Sequence, residues 1–306
     1  MQKSKTKENT VFNIPEDQNT KRKTLEELTI KDDFMFSKVF SGDLKLAKRL
    51  VELVIGRKVK DIKYHKSQVT VDEFYNSKGI RLDVLLEGDS EWINVEMQNQ
   101  DLQDLIKRNR YYTSLLTVQS LTPGKKYKDL PNGISIFITS FDSLKYGYEK
   151  YVCYEKAYGE DTNGKNIDIT ESIQYDGGYA KIYLNVGNVI PEHRASNPEL
   201  RELLDYFRTS IPTNSFTEDI NKRVELTKQD VDARFEYMTL EEKLEIEREE
   251  GIEKGRKEGL AEGEQNKAIE VAKNLLRMNN LSIESISQAT SLSIEEIQRL
   301  VESLDK

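Results

Sequence analysis

Apolar positions change their spacing along this chain, and the changes mark out its elements. Between residues 25 and 56 they recur at helical intervals. Phe34, Met35, Val39 and Phe40 form one stripe, and Leu44, Ala47, Leu50, Val51 and Val54 a second that Gly56 closes as a C-terminal cap. The period then shortens to two, predicting a strand over 68–75 and two more over 80–87 and 91–98, joined by the turn Gly88-Asp89-Ser90. Helical spacing returns over 103–120. There Leu105, Ile106, Tyr112, Leu116 and Gln119 fall on one side and Lys107, Arg110 and Ser114 on the other, before Pro123-Gly124 ends the run. The stretch 134–141 reads as a short buried strand, 148–158 and 179–186 as further strands, and 198–238 as helices. Helix, three strands, helix, strand is the order over 25–141, which predicts an α/β core with a mixed sheet.

The pattern is different at both ends. Residues 1–24 are polar and aperiodic, predicting a disordered lead-in. From about Leu240 the composition turns to Glu, Lys, Arg and Gly, and Gly251, Gly255, Gly259 and Gly263 repeat every fourth residue. Such glycines form a slowly drifting ridge on a helix. The ridge would suit close approach of two helices, hence a homodimer. It equally suits a solvated charged connector. Residues 266–306 predict three short amphipathic helices in a helix-turn-helix-like arrangement, the last opened by a Ser293/Glu296 capping box. That last helix is acidic where DNA readers are basic or amide-rich, so packing or partner binding is the better expectation for it. The expected organisation is a lead-in over 1–24, a core domain over 25–238, a charged Gly-repeat segment over 239–265 and an all-α tail over 266–306.

Composition narrows the chemistry. Of 306 residues, 54 are acidic and 46 are Lys or Arg, a net charge of −8. The lead-in is basic and the acidity is concentrated beyond residue 236, so the middle is only mildly acidic and carries local basic clusters at Lys107, Arg108 and Arg110 and at Lys125, Lys126 and Lys128. With one cysteine, Cys153, no disulfide forms within the chain. With two histidines, His65 and His193, multi-histidine metal sites are nearly excluded. No secretory signal and no run of 18 apolar residues occurs, so a cytoplasmic location without membrane contact is expected. No haem or nucleotide cofactor is expected either. Carboxylates are the remaining agents of any chemistry.

Two of them interrupt the predicted hairpin. A two-residue Gly88-Asp89 loop pairs Glu87 with Ser90 and Asp83 with Asn94. Asp83, Asn94, Glu96 and Gln98 then share one face, with Asp83 and Glu96 as diagonal neighbours about 7–8 Å apart at the backbone. A three-residue loop would instead send Asp83 to the other face. Carboxylates on a half-buried sheet are costly unless something positive lies between them, and a divalent cation would serve. The alternative is a pair of ordinary solvent-facing acids.

Lys31-Asp32-Asp33-Phe34-Met35-Phe36 with Val39-Phe40, Arg81-Leu82-Asp83-Val84, Asn94-Val95-Glu96-Met97-Gln98, and Lys107-Arg108 with Tyr111-Tyr112 together resemble the bacterial recombination-promoting nucleases, or transposase-like proteins, of the PD-(D/E)xK nuclease superfamily. The resemblance runs from about Leu28 to the early 200s. It implies a restriction-endonuclease-like core and a Mg²⁺-dependent endonuclease, with Mn²⁺ as a substitute, that hydrolyses double-stranded DNA in recombination or DNA mobility. Under the resemblance Asp83 and Glu96 are the metal carboxylates, Gln98 stands in place of the superfamily lysine, and Asp33 is an additional catalytic acid. Arg108, with Lys107 and Arg110, would face the DNA. An amide cannot titrate near neutral pH, so Gln98 would orient a water or offer its carbonyl oxygen. Two other readings are a DDE-type transposase, which would need a third acid far downstream, and a non-catalytic DNA- or protein-binding module.

Overall fold

A computed structural model describes residues 23–59, 62–71, 80–88, 90–121, 123–171, 178–278 and 280–304. The expected disordered lead-in lies outside these residues as far as residue 22. The chain divides into two units, the first ending at Arg234 and the second beginning at Phe235.

The first unit is built on a mixed six-stranded sheet. Its strands are β1 (Ile62–Val71), β2 (Ile80–Gly88), β3 (Glu91–Gln98), β4 (Asn132–Thr139), β5 (Lys150–Tyr154) and β8 (Tyr179–Asn185), in the order β1-β2-β3-β4-β8-β5. β6 (Tyr158–Glu160) and β7 (Asn166–Asp168) form a separate two-stranded sheet. β3, β4 and β8 run parallel at the centre, flanked by antiparallel β1 and β2 on one side and antiparallel β5 on the other. Central parallel strands are covered on both faces, and β4 accordingly buries every residue from Gly133 to Thr139.

Helices close both faces. α1 (Asp33–Ser41) buries Phe34, Met35, Phe36, Val39 and Phe40 and packs against β1, β2 and β3. α2 (Leu44–Ile55) starts at Asp43, whose side chain accepts from the amides of Lys45 and Leu46 at 2.9 and 3.1 Å, and stops at Gly56 with φ of +75°. That left-handed turn favours glycine. α4 (Pro198–Thr209) and α5 (Ser215–Gln229) complete this layer, with Phe207 6.2 Å from Phe36, ring to ring. The crossover from β3 to β4 is α3 (Leu105–Ser120), which lies over Leu85, Trp92, Phe137 and Tyr183. It buries Leu105, Asn109, Thr113, Leu115 and Leu116, while Ile106 and Gln119, expected inside, are exposed. Helical spacing alone puts Ile106 and Gln119 on that side. The helix instead turns a polar seam, Asn109 and Thr113, toward the sheet.

The expected strand over 148–158 is broken into β5 and β6 by residues 155–157, and β5 is an exposed edge. Fully buried Glu149 sits just before it, ion-paired with Arg194, whose Nε is 2.8 Å away, and accepting from Arg208 Nη2 at 2.5 Å and from the Ala195 amide at 2.7 Å. Asp205 holds both guanidiniums from the other side.

α6 (Val231–Met278) begins at the end of the first unit and continues through the second as one helix of 48 residues. The first of the three short tail helices is therefore its last part. The glycine repeat lies on an exposed stretch, and a methyl group added at Gly251, Gly255, Gly259 or Gly263 would meet nothing within 4 Å. α7 (Ile283–Thr290) and α8 (Ile294–Leu304) fold back so that Ile286, Leu292 and Ile297 pack on Ala272. The capping box is present, Ser293 N donating to Glu296 Oε2 at 2.8 Å and Glu296 N to Ser293 Oγ at 3.2 Å. No described helix is long and apolar enough to cross a membrane.

Candidate functional site

The β2–β3 register is Val84 opposite Val95, Leu85 opposite Asn94, Leu86 opposite Ile93 and Glu87 opposite Trp92. Pairing is thus two residues further along than the sequence suggested, and Asp83 does not pair with Asn94. β2 ends at Gly88 and β3 begins at Glu91. On its other side β3 seats buried Trp92 against Gly133 of β4, where no side chain competes for the space. A shift of two preserves parity, so Asp83 stays on the face of Asn94, Glu96 and Gln98. It comes directly against Glu96, one step beyond Val84 and Val95, rather than diagonal to it.

At that step the backbone ladder stops and the carboxylates take over. The Met97 amide donates to Asp83 Oδ2 at 2.9 Å, and the Asp83 amide donates to Glu96 Oε1 at 3.3 Å. Ser37 of α1, buried, donates its hydroxyl to the Asp83 carbonyl oxygen at 3.0 Å and ties β2 to the helix layer. Glu96 is only 7 % exposed. Burial, and secondarily the charge of Asp83, push its carboxyl well above the ordinary value of 4.5.

α3 delivers a cation to the same place. Arg108 Nη1 donates to Gln98 Oε1 at 2.8 Å, while Gln98 Nε2 donates to the Gln100 carbonyl at 2.9 Å. A guanidinium has donors only, so the amide oxygen must face it. Gln98 is therefore occupied at both ends, and what it orients is Arg108. Arg108 lies near enough to Glu96 to favour its charged form. Its Nε is 4.0 Å from Asp104 Oδ1, one turn earlier. Tyr112, one turn later, packs on Phe137 with ring centroids 6.1 Å apart. Burial, followed by the charge of Glu96, pushes its phenol up to about 12, so it is a hydrogen-bond donor at any ordinary pH.

Asp33 opens α1, is exposed, and its Oδ1 accepts from the Phe34 amide at 2.8 Å. Among the described residues no three His, Cys, Asp or Glu side chains group as a metal-binding set, so the acids brought together are the pair Asp83 and Glu96. Lys107 and Arg110 are exposed on α3.

A family model described as PD-(D/E)XK nuclease family transposase matches residues 30–209. The chain belongs to this family. The match takes in every site residue above and ends at the C-terminus of α4. Comparison with curated proteins and with solved structures gave no match. PD-(D/E)XK membership brings with it a phosphodiesterase character, DNA as a partner and divalent metal as the usual cofactor.

The donor set fits such an ion. Two carboxylates are neighbours on adjacent strands, one of them driven toward its neutral form by burial and by the other's charge, which is the imbalance a hard cation corrects. Sequence reasoning missed the Gln98–Arg108 bond, the Ser37 tether and the site-facing side of Tyr112. The spacing of Arg108 and Tyr112, four residues apart on one helix, was the available signal for the last. Two more residues lie under α3. Asn94, fully buried on the strand face of Glu96, has no full hydrogen bond at either carboxamide atom. Its neighbour across the strands, Ser135, has none at Oγ.

Proposed function

We propose that this PD-(D/E)XK protein is a divalent-metal-dependent endonuclease that hydrolyses phosphodiester bonds in double-stranded DNA, and that Asp83 and Glu96 hold the ion. The supporting observation is the convergence of three parts: Asp83 against Glu96, Arg108 brought to them by α3, and Gln98 fixing Arg108 in place. Mg²⁺, or Mn²⁺ in its place, would supply Lewis-acid polarisation of the phosphate and a bound water of lowered pKa.

The chain's own residues do the rest. Arg108 offers paired N–H donors to the non-bridging oxygens, where negative charge builds as the nucleophile adds to phosphorus and the P–O bond to the leaving oxygen breaks. Gln98 holds the guanidinium in one orientation, so little rearrangement accompanies that build-up. Tyr112 keeps its proton and can donate but not abstract. No side chain at the site other than the two carboxylates is a base near neutral pH, so the proton of the attacking water leaves by way of a carboxylate or solvent. In this reading the superfamily lysine has its counterpart in a cation on α3, and Gln98 is the positioning residue for it. Asp33 is kept as an accessory acid, at the head of α1.

Plasmid nicking with Mg²⁺ or Mn²⁺, with and without EDTA, tests this in the wild type and in Glu96→Ala. Metal-dependent cleavage that the variant loses is expected. Equal cleavage by both proteins would refute the site. Absence of cleavage by the wild type on supercoiled, linear and nicked DNA would favour a binding module.

A further inference from the structure

The mildly acidic middle of the chain contains one stretch of opposite character. Residues 105–128 hold six Lys or Arg and no Asp or Glu, in a chain whose net charge is −8. Asp104 and Asp129 bound the stretch, the first engaged with Arg108 and the second accepting from the Lys126 amide at 3.1 Å. Five of the six cations, Lys107, Arg110, Lys125, Lys126 and Lys128, are exposed and form no ion pair among the described residues. Elsewhere in this unit Arg49, Arg57, Arg194 and Arg208 are each held by a carboxylate.

These cations have an order in space. α3 starts at the site, where Leu105 packs with Phe137 and Tyr183, and ends near the other end of the central strands, where Leu116 packs with Trp92 and Thr117 bonds to Tyr179. Its outward stripe is Lys107, Tyr111, Ser114 and Val118, at intervals of four, three and four residues, all exposed. The loop carrying Lys125, Lys126 and Lys128 follows the far end. Sixteen residues of helix span about 24 Å, and at 3.4 Å per step that is about seven base pairs.

We propose that the outward flank of α3 and the Lys125–Lys126–Lys128 loop form a track for the phosphodiester backbone of duplex DNA, leading about seven base pairs away from the Asp83/Glu96 site. Phosphate fits this surface because exposed cations stand before and after the uncharged part of α3, Lys107 and Arg110 near the site and Lys125, Lys126 and Lys128 beyond the far end, and because they lack competing carboxylates. Tyr127, 87 % exposed between Lys126 and Lys128, adds a hydrogen-bonding hydroxyl at the end of the line. The track rests on the nuclease reading for its occupant, and it assigns the binding surface that reading leaves open.

Fluorescence anisotropy of a labelled 24-base-pair duplex, in EDTA and across a salt series, tests it on the full chain. The variants are Lys125→Ala/Lys126→Ala/Lys128→Ala and a control of equal charge change on α6, Lys254→Ala/Arg256→Ala/Lys257→Ala. The loop triple should weaken binding at least tenfold near physiological salt and reduce the slope of log K against log salt by about 2–3. The α6 triple should leave both unchanged, and thermal melts should show all three proteins folded alike. If the wild type binds and the loop triple matches it, the track is wrong and the nuclease reading stands. Equal losses in both triples would make the attraction one of bulk charge, which also overturns the track. Tighter binding of a single strand of the same length would overturn the duplex as its occupant. A wild type that neither binds nor cleaves any DNA would remove the nuclease reading itself.

Discussion

Glu96 should make the metal-free protein lose stability as pH rises. In the folded chain its carboxyl titrates well above 4.5, because of burial first and the Asp83 charge second. In the unfolded chain it titrates near the ordinary value. Between the two values the folded state holds a proton that the unfolded state has released. Stability from this source is therefore complete below the unfolded pKa and falls as pH climbs toward the folded one, by up to about 1.4 kcal/mol per pH unit. Glu96→Gln keeps the shape and removes the titration. Wild type and variant should match at the acid end and separate progressively above about pH 5, the variant being the more stable. An ion needs the charged carboxylate, so its apparent affinity should rise up to about tenfold per pH unit over the same window, and saturating Mg²⁺ should flatten the wild-type profile. Urea denaturation in EDTA at several pH values between about 5 and 8 measures the difference. Parallel profiles for the two proteins would refute the reasoning, since they would mean that Glu96 is already charged when folded.

Other outcomes follow from the same geometry. Arg108→Ala should lower kcat by about 10²–10³. Gln98→Ala should cost less, and the double variant no more than Arg108→Ala alone; additive losses in the double-mutant cycle would show that Gln98 acts independently of Arg108. Glu149→Ala removes the fully buried carboxylate shared by two guanidiniums and the Ala195 amide, leaving the guanidiniums only Asp205. It should destabilise by about 3–5 kcal/mol, lowering the melting temperature by on the order of 10 °C; a loss under about 1 kcal/mol would mean Asp205 alone suffices. Gly133→Ala pushes a methyl group into the Trp92 ring and should cost about 1–3 kcal/mol in denaturation experiments with the fold retained; an unchanged midpoint would show that β3 and β4 can slide to accept it.

What the sequence carried and what it did not differ in range. Period-two alternation put Asp83, Asn94, Glu96 and Gln98 on one face, and that survives because a register shift of two leaves parity intact. The shift itself was invisible. Local turn preferences pair Glu87 with Ser90, whereas the folded hairpin pairs it with Trp92. Ile106 was placed inside by hydropathy, yet the helix turns Asn109 and Thr113 inward, since the sheet beneath offers polar partners such as the Tyr183 hydroxyl, 3.1 Å from Asn109 Nδ2. The role of Gln98 was read from its own chemistry as a water-orienting amide. Only the approach of α3 shows that Arg108 claims its oxygen. The exposed edge of β5 is likewise out of reach, because it depends on what lies beside the segment rather than within it.

The bond from the Met97 amide to Asp83 Oδ2 has a use beyond geometry. Where the β2–β3 ladder ends, this N–H is protected from solvent by a carboxylate rather than by a carbonyl. An ion drawing on the same oxygen would weaken that protection. The exchange rate and chemical shift of a single backbone proton then become a reporter of metal occupancy. It can be read in the intact chain without substrate, without turnover and without altering any residue of the site.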